Sequence, residues 1–271
     1  MEMIKKYIRK EDLMKSGLIF SGLLIGLLLG FIEWTGLLII VILGGMALMY
    51  SSLERNEQYS RFLYHSLAAV IFAACIALYQ HIVPGFNNVL YFDKIRVSKD
   101  AVPFTMYFNA DKLLAGLVLL LLVIPLRTDL WRGIKKTWML FLMTLALLLS
   151  LSVLFHFVRF DFKFHSYFII WGINNLFIVC MAEEVLFRGF LQRHLSLLNI
   201  RNADFISVAV AALGFGLLHW QGGAAYVSYA VVAGGMYGWI YQRSQNIFVN
   251  ILAHFLFNVI HIIFFTYPFL Q

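Results

Sequence analysis

The chain has 271 residues, of which 62% are hydrophobic and only 13% charged, and its net charge is +7. A soluble domain carries roughly 25% charged residues; because the deficit here extends along the whole chain, we expect a multi-pass integral membrane protein. A nucleic-acid binder would display its basic excess on solvated patches, whereas these basic residues lie mostly between apolar runs, where they orient the protein and contact the lipid bilayer. Composition therefore argues against a soluble enzyme and against nucleic acid as a partner.

Apolar segments succeed one another along the chain, most of them near the ~20 residues that a helix needs to cross a bilayer. They fall at about 17–33, 35–50, 64–83, 113–126, 138–157, 166–184, 205–220, 224–241 and 246–268. Backbone groups that face lipid are satisfied only within helices or closed barrels. We therefore expect an all-α, polytopic transmembrane bundle of about eight spans.

The distribution of basic residues predicts the orientation. Lys and Arg cluster in the connections around 55–61, 127–136 and 188–201, and placing these connections inside also places the N-terminus in the cytoplasm. The longest hydrophilic connection, 84–112, then lies outside, as a small ordered cap or a loop.

Polar side chains that could take part in a reaction are concentrated in the last third of the chain. Ionised side chains cost roughly 2.5–3.5 kcal/mol each at the bilayer centre, so they are seldom there without a partner or a task. The candidate site residues are Glu183, Glu184, Arg188, His219, His254 and Asn258.

The spacing of these residues predicts distinct roles for the two glutamates. On a helix, Glu184 and Arg188 are four residues apart and can pair, whereas Glu183 points about 100° away from Glu184 and can face a cavity. A carboxylate in an apolar cavity suits a general base. His254 and Asn258 are also four residues apart and share one helix face.

Two structural alternatives stay open near these residues. The segment after Glu184 is either an amphipathic helix at the membrane interface or the continuation of a long helix that begins near Tyr167. The glycine-containing stretch 221–225, just after His219, is either an exposed loop or a re-entrant corner.

Two chemistries also stay open. In one, Glu183 takes a proton from water that His219 orients, and His254 and Asn258 donate hydrogen bonds to the oxyanion of an attacked amide. In the other, Glu183, His219 and His254 hold a catalytic zinc ion with one open coordination position. The spacing is not His-Glu-x-x-His, and it does not decide between a metal-dependent and a metal-independent mechanism.

At these residues the chain resembles the CAAX prenyl proteases and bacteriocin-processing enzymes, which are intramembrane proteases of the Ras-converting-enzyme type. The family's Glu-Glu-x-x-x-Arg motif is matched at 183–188, its Phe-x-x-x-His motif at 215–219, and its His-x-x-x-Asn motif at 254–258. The resemblance implies an endopeptidase that acts on a peptide or protein at the membrane. Prenyl-CAAX processing in particular is not implied.

The resemblance covers about residues 166–265 and divides the chain in two. Residues 1–160 are predicted to form N-terminal spans and the loop 84–112, with no motif match, and residues 161–271 the protease core. Two rival functions remain: a catalytically silent scaffold or immunity protein of the same family, and a transporter with an intramembrane charge relay. A transporter often has duplicated halves, and no such internal repeat is visible here.

Overall fold

A computed structural model describes residues 10–55, 61–127 and 129–271. The chain is mostly helical, as expected, since almost every apolar run becomes a helix. The helices are α1 (Lys10–Leu28), α2 (Trp34–Arg55), α3 (Arg61–Tyr79), α4 (Ala110–Leu122), α5 (Leu130–Leu154), α6 (Phe168–Ser196), α7 (Ala203–Leu217), α8 (Gly223–Ser244) and α9 (Ile247–Phe264).

The expected count of about eight spans is not confirmed. Within the described ranges, five helices are long and apolar enough to cross a membrane, or six if α7 and α8 together count as one broken span. The apolar run 113–126 belongs to α4, which has only 13 residues. At 1.5 Å per residue such a helix is shorter than the ~30 Å hydrocarbon core.

The connection 84–112 corrects the all-α expectation. It contains a two-stranded sheet formed by β1 (Val89–Ile95) and β2 (Phe104–Phe108). Both strands are short and rich in aromatic and β-branched residues, a composition that favours strands over helix. Phe92 and Phe104 pack on a core that includes Trp171 of α6, so the sheet is an ordered cap.

The chain divides into two compact units. The first consists of the described residues of Met1–Val89 and Asn109–Leu126, and it contains α1 to α4. Inside it the hydroxyl of Ser51 on α2 donates to the carbonyl of Leu122 at 2.6 Å. None of the six candidate site residues lies in this unit.

The second unit consists of the described residues of Leu90–Phe108 and Arg127–Gln271. Its core forms where α5, α8 and α9 meet, around the buried side chains of Leu148, Tyr237 and Phe257. All six candidate site residues lie in this unit, on α6 and α9 and in the break that follows α7.

Helix α6 is continuous over 29 residues, so the segment after Glu184 continues the helix that begins near Tyr167. Two of its stretches, Asn175–Cys180 and Val185–Gln192, are π-helical and enclose the α-helical turn Met181–Glu184. The π-helical turns close i→i+5 hydrogen bonds and recur at functional sites. Continuity places Glu183 and Glu184 in the middle of the helix instead of at a span end.

Helices α7 and α8 pack antiparallel, with small residues at their interface. A Cβ atom added to glycine 216, 234 or 238 would collide with the opposite helix at Val231, Ala212 or Val208, respectively. As the residue number falls along α7, the number of its contacting partner on α8 rises, which is the pattern of two antiparallel helices. The break between Leu217 and Gly223, which includes His219, is consequently the corner of a helical hairpin.

Replacing Gly216 by alanine is expected to destabilise this hairpin. The new Cβ would lie 3.0 Å from the Val227 carbonyl oxygen and 3.1 Å from the Val231 nitrogen, and backbone atoms cannot move aside. Overpacking of this kind costs about 1–3 kcal/mol. Gly235 is the matched control: no described atom lies within 4 Å of its added Cβ, so alanine there should be neutral or stabilise by up to ~1 kcal/mol. Thermal unfolding in detergent measures both; equal melting temperatures would contradict the packing.

Candidate active site

The Glu184 carboxylate is the centre of the polar contacts. It is completely buried on α6. Its Oε1 atom accepts a hydrogen bond from Nη1 of Arg188 at 3.1 Å and one from Nδ1 of His254 at 2.9 Å. Its Oε2 atom accepts from Nδ2 of Asn250 at 3.2 Å. Three donors from two helices therefore supply the hydrogen bonds that a buried charge requires.

Arg188 forms the pair with Glu184 that their four-residue spacing predicts, and it also contacts α8. Its Nη2 atom donates to the carbonyl oxygen of Gly234 at 3.0 Å. The guanidinium carbon lies 4.5 Å from the ring centre of Phe215 and 5.5 Å from that of Tyr237, within cation–π range. The ion pair thus joins α6, α7 and α8 around one buried point.

His254 is oriented by Glu184. A carboxylate accepts hydrogen bonds, so the 2.9 Å contact assigns a hydrogen to Nδ1. The imidazole also stacks on the Tyr237 ring, with 4.8 Å between centroids. Nδ1 is therefore occupied, and Nε2 is the atom that can meet a substrate.

His219 is oriented in the same way by a backbone group. Its Nδ1 atom lies 2.8 Å from the carbonyl oxygen of Phe215, one turn earlier, and must donate to it. The ring centroid of Phe215 lies 4.8 Å from that of His219 and 6.0 Å from that of His254. One aromatic side chain therefore adjoins both candidate histidines.

Glu183 is buried on α6, with 5% of its surface exposed. It interacts electrostatically with Tyr226 on α8. The ring of Tyr226 in turn lies 5.8 Å from that of His219. Glu183, on α6, and His219, in the break between α7 and α8, thus both interact with Tyr226.

Asn258 lies one helical turn after His254, and its amide contacts α6. Its Nδ2 atom donates to Oδ1 of Asn175 at 3.1 Å and lies 3.4 Å from Sγ of Cys180. It also lines a cavity of about 70 Å³, large enough for water. Polar side chains around this cavity are those of Ser152, Tyr226, Tyr229 and His261.

Sequence reasoning did not identify several residues that surround the site. Tyr237 and Tyr226 lie in an apolar segment without a motif, and nothing in the sequence sets them apart from the chain's other tyrosines. Asn250 lies four residues before His254, and this spacing is a signal that could have revealed it.

The predicted zinc donors do not form a ligand set. Among residues 10–55, 61–127 and 129–271 there is no group of three or more His, Cys, Asp or Glu side chains arranged to hold a metal ion. The Nδ1 atoms of His219 and His254 are engaged by a carbonyl and by Glu184, which leaves Nε2 as the ring nitrogen that could bind a metal in each. Glu183, His219 and His254 are all described residues, and they do not form such a group.

Comparison with known proteins identifies the second unit. Residues 165–260 match the family model of the type II CAAX prenyl endopeptidases, described as Rce1-like. All three motifs, from Glu183 to Asn258, fall inside the match. No curated protein and no solved structure matches the chain. With its apolar helices the chain is an integral membrane protein, and its residues 165–260 are similar to the CAAX protease family.

Proposed function

We propose that the protein is an intramembrane endopeptidase that hydrolyses a peptide bond of a membrane-associated protein or peptide. The observation that carries the proposal is the convergence of α6 and α9 on Glu184, with α8 contacting its partner Arg188, which leaves Nε2 of His254 as that residue's available nitrogen. A buried charge with three hydrogen-bond donors from two helices costs more than a packing role needs. Such an arrangement is typical of a site where side chains are held for chemistry.

The proposed reaction starts with water between Glu183 and His219. Glu183 removes a proton from the water, and Nε2 of His219 accepts a hydrogen bond that orients it. The oxygen attacks the carbonyl carbon of the peptide bond, and the carbonyl electrons move onto its oxygen. When this intermediate collapses, the carbon–nitrogen bond breaks and Glu183 returns the proton to the leaving amine.

The proposed oxyanion donors are His254 and Asn258. In the resting site His254 carries its hydrogen on Nδ1. To donate from Nε2 to the oxyanion it must also take up a proton from solvent there, and Glu184 is the counter-charge of the imidazolium so formed. Asn258 donates one N–H to Asn175. Its other N–H faces the weakly accepting sulfur of Cys180, so an oxyanion can replace that contact.

The orientation of the chain and its division at residue 160 are part of the same proposal. The N-terminus lies in the cytoplasm, as the basic connections predict. Residues 1–160 form the N-terminal spans and the connection 84–112, and residues 161–271 form the catalytic core, on which α5 (Leu130–Leu154) packs.

The proposal is tested with the purified full chain in detergent and a set of defined peptides, some prenylated and some not. Mass spectrometry should find pairs of fragments whose masses sum to the peptide plus one water. If every peptide stays intact with the wild-type protein, while a known protease cleaves the same set in the same detergent, the proposed hydrolysis fails.

The mechanism is proposed to be independent of a metal, because the candidate donors do not form a ligand set. Elemental analysis should find well under one zinc ion per chain, and a chelator should leave the cleavage rate unchanged. One zinc per chain, together with chelator inhibition that added zinc reverses, would overturn this part of the mechanism.

A further inference from the structure

Asn250 contacts the site from α9 without belonging to any of the three motifs. It has no solvent exposure and lies one turn before His254. Its Nδ2 atom donates to Oε2 of Glu184 at 3.2 Å and to the backbone carbonyl of Tyr237 at 2.7 Å. Both hydrogens of the amide nitrogen are therefore in use.

The other half of this amide has no partner. Oδ1 of Asn250 is buried and accepts no hydrogen bond from any described residue. A 180° rotation of the amide would place Oδ1 against Oε2 of Glu184 and the Tyr237 carbonyl, which are both acceptors and would repel it. The observed orientation therefore keeps both hydrogen bonds from Nδ2 but leaves Oδ1 of Asn250 without a partner, and a buried oxygen without a hydrogen bond is destabilising.

The hydrogen bond from Asn250 to Glu184 affects the orientation of the His254 ring. Asn250 holds Oε2, so the carboxylate cannot rotate, and Oε1 stays directed at Nδ1 of His254. Arg188 holds only Oε1, the same atom that His254 uses. Without Asn250, none of these contacts donates to Oε2, so the carboxylate can rotate. The His254 ring, which is hydrogen-bonded to that carboxylate, can then change its direction.

We infer that Asn250 is a positioning residue that fixes the Glu184 carboxylate and thereby the tautomer and direction of His254. The expected effect of Asn250 on catalysis rests on the proposed hydrolysis. Its expected effect on the His254 ring does not depend on that proposal. Residues that orient a reacting group through an intermediate partner typically change activity about 10–100-fold when removed.

The chain offers a matched control for the removal of a buried amide. Gln192 on α6 is also fully buried, donates from Nε2 to a carbonyl of α8 (Gly238, 3.0 Å), and has an unpartnered Oε1 among the described residues. It has no hydrogen bond to Glu184 or His254. Asn250→Leu and Gln192→Met each replace a buried amide by an apolar group of similar size.

The experiment compares both variants with the wild type in detergent. For Asn250→Leu we expect kcat to fall about 10–100-fold with KM within about threefold, while Gln192→Met keeps kcat within about threefold even if its melting temperature falls as much. In a Glu184→Gln background, Asn250→Leu should add little. Equal losses of kcat in the two variants, or an unchanged kcat in Asn250→Leu, would overturn the inference.

A second measurement does not depend on activity. Nitrogen NMR of histidine-labelled protein, with the His254 signal assigned by its loss in His254→Ala, should show one tautomer with the hydrogen on Nδ1. Asn250→Leu should give a mixture of tautomers, and Gln192→Met should not. If the wild type cleaves no peptide, the proposed function fails while this result still decides the role of Asn250; an unchanged tautomer in Asn250→Leu would refute it.

Discussion

Replacing Glu183 by glutamine is expected to reduce peptide cleavage about 10²–10⁴-fold, the contribution typical of a general base. The amide keeps the shape of the side chain in its buried position but cannot take a proton from water. Because the contacts of Glu184 are untouched, the melting temperature should stay within a few degrees of the wild type. The initial rate of peptide cleavage by the purified variant measures the effect.

Asp204 serves as the matched control for this substitution. It is an exposed carboxylate in the first turn of α7, away from the motifs, so Asp204→Asn should cleave at the wild-type rate. Full activity of Glu183→Gln would remove Glu183 from its proposed role. A loss of activity in both variants would show that the assay responds to charge in general.

Replacing Arg188 by methionine is expected to destabilise the fold by about 3–5 kcal/mol, the effect of removing one partner of a buried ion pair. Arg188 and Glu184 are both completely buried, so water cannot replace the lost donors. Cleavage should fall with the folded fraction, and further because Glu184 loses its counter-charge. Unfolding of purified protein in mixed micelles measures the change in stability.

The reference for Arg188→Met is the double variant Glu184→Gln with Arg188→Met. Neutralising Glu184 removes the uncompensated charge, so the double variant should be more stable than Arg188→Met alone. Since Gln at 184 still offers an oxygen to Nδ1 of His254, part of the packing around α9 should return. If the double variant is less stable than the single one, the buried charge is not the cause of the instability.

Local sequence patterns predicted those parts of the fold that depend on one helix alone. The pairing of Glu184 with Arg188 requires only a four-residue spacing, and it is present. The continuity of α6 was left open, because Arg188 and Gln192 look amphipathic as a sequence. Both are buried, since α8 offers them the carbonyl oxygens of Gly234 and Gly238, and such carbonyls have no signature in side-chain patterns.

The span count and the sheet show a different limit. Hydropathy treats 113–126 as one more crossing segment, whereas α4 stops at Leu122. The glycines after His219 indicate a break in the sequence pattern. The contacts of Gly216 with α8 are needed to show that the two helices form an antiparallel hairpin. Strands of five to seven residues between apolar helices give little periodic signal.

The candidate site was predictable as a set of residues but not as a set of contacts. Three motifs identify which side chains converge, and the family match spans all three. That His254 contacts Glu184, and that Asn258 contacts Asn175, depends on the register of α6 against α9. Spacing within a single helix holds no information about that register.

The most direct test of the account is cleavage of a defined peptide in ¹⁸O-labelled water, with wild-type protein and Glu183→Gln side by side. The account predicts one ¹⁸O atom in the new carboxyl terminus of the wild-type product and no product above background with the variant. Unlabelled product, or equal amounts of labelled product from both proteins, would contradict hydrolysis by a water that Glu183 activates.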